Sequence, residues 1–313
     1  MIAGLIALLT AFVIDFALGD PPNRFHPVAA MGSLIHTLTQ RWNHGGNFRR
    51  FFAGICLILI GGALFSAPWG LLAGIIKARL PEWAIGLLLG LCLKPVFAFR
   101  GLLRAGGEVQ QALLSDDLPA ARHFVSWHLV SRDTSQLSKA LVASATIESL
   151  SENLTDSFFA PLFYFALGGL PFAWFYRFIN TADAMIGYHS ADYEHFGKFA
   201  ARSDDLLNWL PARMTALLII LSAALYRLNL KNAFLVMKNQ HKRTSSPNAG
   251  WTMSAAAGAL AIVLEKPGSY RLEGGPELPD ANIISQALQL ITVSLVLSLF
   301  FCGGLIIGHA FFF

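Results

Sequence analysis

Long apolar runs separated by polar stretches dominate this chain. The runs are residues 2–18, 51–76, 83–99, 157–179, 214–230 and 283–311. A bilayer-crossing helix needs about 20 predominantly apolar residues. The 51–76 run meets that need clearly, 2–18 only narrowly, and 283–311 with length to spare. The 83–99 run carries Lys94, whose aliphatic stem allows it to snorkel to the interface. Gly168-Gly169-Leu170-Pro171 breaks the 157–179 run, and Gly303-Gly304 interrupts the last one. The Ala-rich stretch 252–264 is too short to span. The pattern predicts an all-α polytopic integral membrane protein with roughly 4–6 transmembrane helices and polar helical segments between them. Re-entrant helices are open to the broken runs, because irregular backbone at membrane depth is tolerated where it lines a polar cavity.

The polar stretches are 19–50, 100–156, 180–213 and 231–251, and twelve of the nineteen acidic residues fall within 101–210. Residues 101–114 read as an amphipathic helix with Leu102, Leu103, Val109, Leu113 and Leu114 apolar. Ser115 reads as the N-cap of a second helix, with Asp116, Asp117 and Pro119 in its first turn. Parity constrains topology. If 157–179 and 214–230 both cross, 180–213 lies on the opposite face from the other polar stretches. Motifs that share one site would require these two runs to dip in and return, or to pack as buried helices.

Composition strengthens the membrane reading. Of 313 residues, 55% are hydrophobic and 13% charged, against about 25% charged in soluble domains, and the mean hydropathy is +0.53. No linker, repeat or low-complexity run appears, so residues 1–313 read as one domain. The net charge of +4 is small and dispersed, which excludes a nucleic-acid footprint and leaves basic loops as markers of the cytoplasmic side. Cys56, Cys92 and Cys302 lie in apolar runs without zinc spacing and read as buried small hydrophobes. The first run holds Asp15 and ends in Gly19-Asp20-Pro21-Pro22, so it reads as a retained helix rather than a cleaved signal. His309, in the last run, reads as packing.

Five stretches carry candidate chemistry. Glu148, Glu152 and Asp156 recur at steps of four and share one helical face. Such a stripe is either a solvated acidic face or a set of carboxylates awaiting Mg²⁺ or arginine. Asn180-Thr181-Ala182-Asp183 ends a greasy run, where a simple helix cap is the alternative. Ala201-Arg202-Ser203-Asp204-Asp205-Leu206-Leu207-Asn208-Trp209-Leu210-Pro211-Ala212-Arg213 packs two adjacent carboxylates, an Asn, a Trp and two Arg beside lipid, where charge is costly. An interfacial anchor helix competes with a metal-phosphate reading there. Arg132, in Ser131-Arg132-Asp133-Thr134, suits a phosphate or carboxylate clamp, although Asp133-Thr134 also suits a helix start. Ser246-Pro247-Asn248 follows the basic His241-Lys242-Arg243, and a helix beginning at 252 offers an anion site. No Walker A motif is present.

Together these motifs resemble the CobD/CbiB family of cobalamin biosynthesis proteins, the adenosylcobinamide-phosphate synthases. The resemblance rests on Gly19-Asp20-Pro21-Pro22, His26-Pro27-Val28, Arg132-Asp133-Thr134, Glu148-Ser149, Glu152-Asn153, Ala160-Pro161-Leu162-Phe163, Asn180-Thr181 with Asp183, Gly187-Tyr188, Arg202 with Asp204-Asp205, Pro211-Ala212-Arg213 and Ser246-Pro247-Asn248-Ala249-Gly250-Trp251. Two departures stand out. Ser157 replaces a family Gly after Asp156, and Glu265-Lys266-Pro267-Gly268-Ser269-Tyr270 replaces a Gly-Gly-Pro-Asn-Ser-Tyr pattern, which puts a phosphate cradle there in doubt.

The resemblance implies ATP- and Mg²⁺-dependent joining of adenosylcobyric acid to (R)-1-amino-2-propanol phosphate or a related amino-alcohol or threonine phosphate. It implies Asp183, Asp204 and Asp205 on Mg²⁺-ATP, and Glu148, Glu152 and Asp156 as the catalytic carboxylates. Arg132 and Arg202 would hold phosphates, with Asp133, Thr134, Asn153, Asn180, Asn208, Arg213, Ser246 and Asn248 as further substrate or phosphate contacts. It also implies a bacterial cell membrane with the site facing the cytoplasm, small corrinoid and amine-phosphate partners, and neighbouring membrane enzymes of late cobalamin assembly. The rival readings are a corrinoid transporter and an AmpE-like membrane signalling protein without ligase activity. Retention of the Arg-Asp-Thr, Glu-Asn and Asp-Asp sets, and acids placed between spans, favour the enzyme.

Overall fold

The computed structural model describes residues 1–188 and 190–312, and the side chains of these except at 23, 77 and 309–312. The reading of His309 as packing therefore lies outside the described residues. The elements are α1 (Ile2–Leu18), α2 (Pro27–Trp42), α3 (Asn47–Arg79), α4 (Glu82–Leu93), α5 (Arg100–Leu114), α6 (Leu118–His128), α7 (Lys139–Leu154), α8 (Ala160–Ile186), α9 (Lys198–Leu207), α10 (Trp209–Leu225), α11 (Leu230–Gln240), α12 (Ala249–Leu260), β1 (Val263–Lys266), β2 (Tyr270–Glu273) and α13 (Ala281–Phe312). The all-α polytopic expectation is met. Four helical runs, Asn47–Ile76, Glu82–Leu114, Lys139–Ile186 and Ala281–Gly308, are long and apolar enough to cross a membrane, and the broken pair α9 and α10 passes together as a fifth. A two-stranded antiparallel hairpin, β1 with β2, is added to this helical frame.

Two breaks decide how the longest run is used. At 48 residues, Lys139–Ile186 would extend about 72 Å if straight, more than twice a hydrocarbon core of about 30 Å. Thr155–Phe159 forms a π-helical turn. Gly169, inside the predicted Gly-Gly-Leu-Pro break, has φ 69° and ψ −159°, a conformation open essentially to glycine alone. Pro171 follows, where its missing N–H suits a restarting helix.

The chain folds into two compact units, each drawn from separate stretches. The first comprises Met1–Ala98, Ala160–Asn208 and Phe301–Phe313. In it α1 packs on α4, and α8 receives α2, α3 and α9. Its core is aromatic, with Trp69 stacked on Trp174 at 4.7 Å and Phe65 on Phe178 at 5.7 Å. Lys94 does not snorkel. It is 4% exposed, and its Nζ lies 2.8 Å from Asp15 Oδ1 and 2.5 Å from Asp20 Oδ1. Gly19, at φ 74°, ends α1 and turns the chain so that Asp20 reaches the lysine.

The second unit comprises Phe99–Phe159 and Trp209–Phe300. Its centre is α12, packed on α7, α10 and α11. Every residue from Thr252 to Leu260 is buried, which explains an Ala-rich stretch too short to span: small side chains admit neighbouring helices on all sides. The hairpin packs on α7 and α12. Three local expectations shift here. The N-cap of α6 is Asp117, which accepts from the Ala120 N–H at 2.9 Å, while Ser115 closes α5. The helix expected at 252 starts at Ala249, and Ser246 Oγ already accepts its Asn248 and Ala249 N–H groups. Cys56 is exposed rather than buried, Cys92 is intermediate, and Cys302 is buried.

Candidate functional site

The acidic stripe of α7 and the Arg132 loop come together in the second unit. Leu129, Val130, Ser131, Arg132, Glu148, Ser149, Glu152, Lys266 and Tyr270 are among the residues that line a pocket of about 170 Å³. Glu148, 5% exposed, is held on both oxygens. Ser144 Oγ donates to Oε1 at 2.8 Å and Tyr270 Oη to Oε2 at 2.7 Å. Burial first, and the Glu148 carboxylate after it, raise the Tyr270 hydroxyl above the ordinary phenol range, so it stays a donor. Ser144 Oγ also accepts the Glu265 N–H at 2.8 Å, pinning the hairpin to α7. The 265–270 stretch, read from sequence as a doubtful cradle, instead supplies one wall of this pocket. Arg132 Nη2 lies 3.7 Å from Glu148 Oε2, an ion-pair contact too long for a hydrogen bond.

Asp156 departs from the predicted stripe. It falls in the π-helical turn, whose i→i+5 pitch changes the phase of the helix, and it is not among the residues that line the pocket with Glu148 and Glu152. Three other predicted contacts have structural partners. Thr134 is buried and donates to the Arg122 carbonyl at 3.0 Å. Asp133 accepts both the backbone N–H and the hydroxyl of Ser135, at 2.9 and 3.0 Å, and these bonds hold its carboxyl below the usual range. Asn153 donates to the Ser149 carbonyl and accepts from Ser157 Oγ, both at 3.0 Å.

The Asp-Asp cassette builds a different group, in the first unit. Asp204 is 8% exposed. Its Oδ1 accepts Asn180 Nδ2 at 3.2 Å and its Oδ2 accepts Asn208 Nδ2 at 3.0 Å. Each amide is oriented by a second partner. Tyr176 Oη donates to Asn208 Oδ1 at 2.9 Å, and Arg177 Nη1 lies 3.5 Å from Asn180 Oδ1. Tyr164 stacks on Tyr176 and donates to the Leu207 carbonyl at 2.8 Å. The carboxylate is thus fixed in direction by two amide donors. Asp183 and Asp205 are half-buried, and Arg202 is exposed on α9.

The magnesium expectation concerns Asp183, Asp204 and Asp205. Among the described residues no group of three or more His, Cys, Asp or Glu side chains gathers as a protein cage for a metal ion. Magnesium is usually held by one or two carboxylates plus substrate phosphates.

Arg213, Ser246 and Asn248 form a third group, in the second unit, and none of them lines the Arg132 pocket. The Arg213 guanidinium sits between Trp209 and Trp251, 4.4 and 4.6 Å from the ring centroids, with Nη1 3.3 Å from Asn248 Oδ1. Such stacking is a strong use for arginine in itself.

Sequence reasoning assigned no role to Tyr164, Tyr176, Arg177, Ser144, Lys266 or Tyr270. The first three hide in an apolar run. Only the family-like Tyr at position 270 carried a signal.

Comparison with known proteins agrees with these motifs. The family described as CobD/Cbib protein matches residues 8–294. A protein named cobalamin biosynthesis protein CobD, from Dehalococcoides mccartyi, is 40% identical over 296 residues, covering 92% of each chain. One named cobalamin biosynthesis protein CbiB, from Salmonella choleraesuis, is 36% identical over 306 residues, covering 94% of this chain and 95% of its own. No solved structure matches. With the family match running from residue 8 to residue 294 and relatives aligned nearly end to end, the chain belongs to the CobD/CbiB family.

Proposed function

We propose that this protein acts in cobalamin biosynthesis as an ATP-dependent ligase. It would join a propionate carboxylate of adenosylcobyric acid to the amine of an amino-alcohol phosphate, giving adenosylcobinamide phosphate. The observation that carries the reading is the Arg132 pocket, where fixed cations and two carboxylates meet in a chain of this family. A carboxylate is a poor electrophile. Transfer of the ATP γ-phosphoryl group to it gives an acyl phosphate and ADP, and attack by the amine then releases phosphate and leaves the amide. Asp183 and Asp205, with Asp204 fixed between its two amides, would hold Mg²⁺ on the nucleotide phosphates. The ion would neutralise charge on the transferring phosphoryl group. Glu152 would accept the proton that the ammonium sheds before attack. The site faces the cytoplasm, where ATP is supplied.

A transporter reading has less support. Among the described residues, the clear ionisable pair in an apolar region, Asp15 with Lys94, is closed on itself and on Asp20. Growth of a strain lacking the synthase, supplied with cobyric acid and expressing this chain, tests the ligase. Rescue is expected for the native chain and its loss for Asp204→Asn or Asp205→Asn. A well-expressed native chain that fails to rescue would sink the proposal, and full rescue by both variants would sink the nucleotide assignment.

A further inference from the structure

The Arg132 pocket has a size and a charge pattern that select among the three substrates of such a ligase. Its volume of about 170 Å³ is below the roughly 300–1,000 Å³ of sites that enclose drug-sized ligands. A whole nucleotide or corrin exceeds that volume, whereas a molecule of about ten heavy atoms does not. Arg132 Nε is buried and has no hydrogen-bond acceptor among the described residues. A buried guanidinium donor left unpaired is costly, and an anion in the pocket would satisfy it. Lys266, on β1 beside its register partner Tyr270, adds a second cation to the lining. Glu148 is already engaged on both oxygens by Ser144 and Tyr270, so it serves as a fixed wall. Glu152, one helical turn further along α7, is the half-buried carboxylate that faces the same space.

We infer that this pocket is the seat of the phosphorylated amino alcohol. Its phosphate lies against Arg132 and Lys266, and its ammonium lies against Glu152. The hairpin β1–β2 acts as the specificity wall through Tyr270. The inference rests on the ligase reading for the identity of the small zwitterion. It goes beyond that reading by separating this substrate from ATP and the corrinoid, and by giving Lys266 and Tyr270 roles in recognition.

Equilibrium binding to the full-length protein in nanodiscs, without ATP or corrinoid, tests it. The probes are 1-amino-2-propanol O-2-phosphate, isopropyl phosphate, 1-amino-2-propanol and inorganic phosphate. The amine phosphate is expected to bind about tenfold or more tightly than any of the other three. Lys266→Ala, on the half-exposed hairpin, is expected to weaken it by about tenfold or more with an unchanged thermal midpoint, and Arg132→Gln likewise. Glu152→Gln is expected to abolish the preference over isopropyl phosphate. An unchanged Kd in Lys266→Ala, or displacement of the bound amine phosphate by ATP, overturns the inference. Turnover assays keep the two proposals apart. Ligase activity with an unaltered KM for the amine phosphate in Lys266→Ala removes the pocket assignment and leaves the ligase standing. Specific binding without any amide product does the reverse.

Discussion

A lysine in an apolar helix ordinarily reaches for the interface, and Lys94 reads that way from sequence. It is held instead between Asp15, fully buried, and Asp20, and so the Gly-Asp-Pro-Pro motif at 19–22 acquires a structural purpose. Removing one partner of a buried ion pair costs about 3–5 kcal/mol, whereas replacing both by apolar groups is often neutral. Lys94→Met should therefore lower stability by about 3–5 kcal/mol, and Asp15→Leu in the same chain should recover most of it. Thermal unfolding in detergent reads both, and equal midpoints for native and Lys94→Met protein would remove the clasp. The same clasp has an acid limit. Burial would raise the Asp20 carboxyl, but His26 and Lys94 outweigh it and hold it at about 2, below its ordinary 3.8. A carboxyl lowered on folding stabilises the fold above its unfolded value. That contribution is present above about pH 4 and is lost as pH falls towards about 2. Asp20→Asn should flatten this part of the stability profile in an acid titration of the unfolding midpoint, and an unaltered profile would contradict the assignment.

Elements were legible in proportion to their length and apolarity. The runs at 51–76 and 283–311 are helices close to where their pattern puts them, and the Gly-Gly-Leu-Pro break proved a true backbone break at Gly169. The hairpin at 263–273 was not legible. Its strands are four residues each, one of them carrying two buried apolar positions and then two charged ones, too short for a period of two to show. The residues behind the two amide partners of Asp204 were hidden for another reason. Tyr164, Tyr176 and Arg177 lie in a run whose apolarity reads as lipid contact, and only tertiary packing turns Tyr176 to Asn208, Arg177 to Asn180 and Tyr164 to the Leu207 carbonyl. Element geometry also yields a test at the break. At φ 69° and ψ −159°, any side chain is strained by about 1–3 kcal/mol. Gly169→Ala should lose about that much stability in thermal melts. If Gly169→Ala melts at the native midpoint, the break is not glycine-dependent.

At the scale of the whole molecule, exposure sorts the long helices. Only 28% of the most apolar window in Asn47–Ile76 is buried, against 61% in Lys139–Ile186. On the first, Leu59, Ile60, Leu64, Leu71 and Ile75 are all exposed. Exposed apolar stripes of that extent mark a surface meant for lipid or a partner. The run carrying the acidic stripe and the Asn180 group is the more buried of the two. The native cysteines report on this division without any substitution. Cys56 is exposed on the lipid-facing stripe, about 14 Å along the helix from Asn47 at 1.5 Å per residue, whereas Cys302 is buried in the first unit. In nanodiscs, neither a membrane-permeant nor a sulfonated, impermeant maleimide should label Cys56 rapidly, because a thiol in hydrocarbon stays protonated and the thiolate is the nucleophile; in mild detergent Cys56 should label. Cys302 should resist both until the protein is unfolded in strong detergent. Mass spectrometry of the intact chain reads these states. Rapid labelling of Cys56 by the impermeant reagent in an intact bilayer would mean that Asn47–Ile76 stands in water, and would take with it the lipid-facing assignment of that stripe.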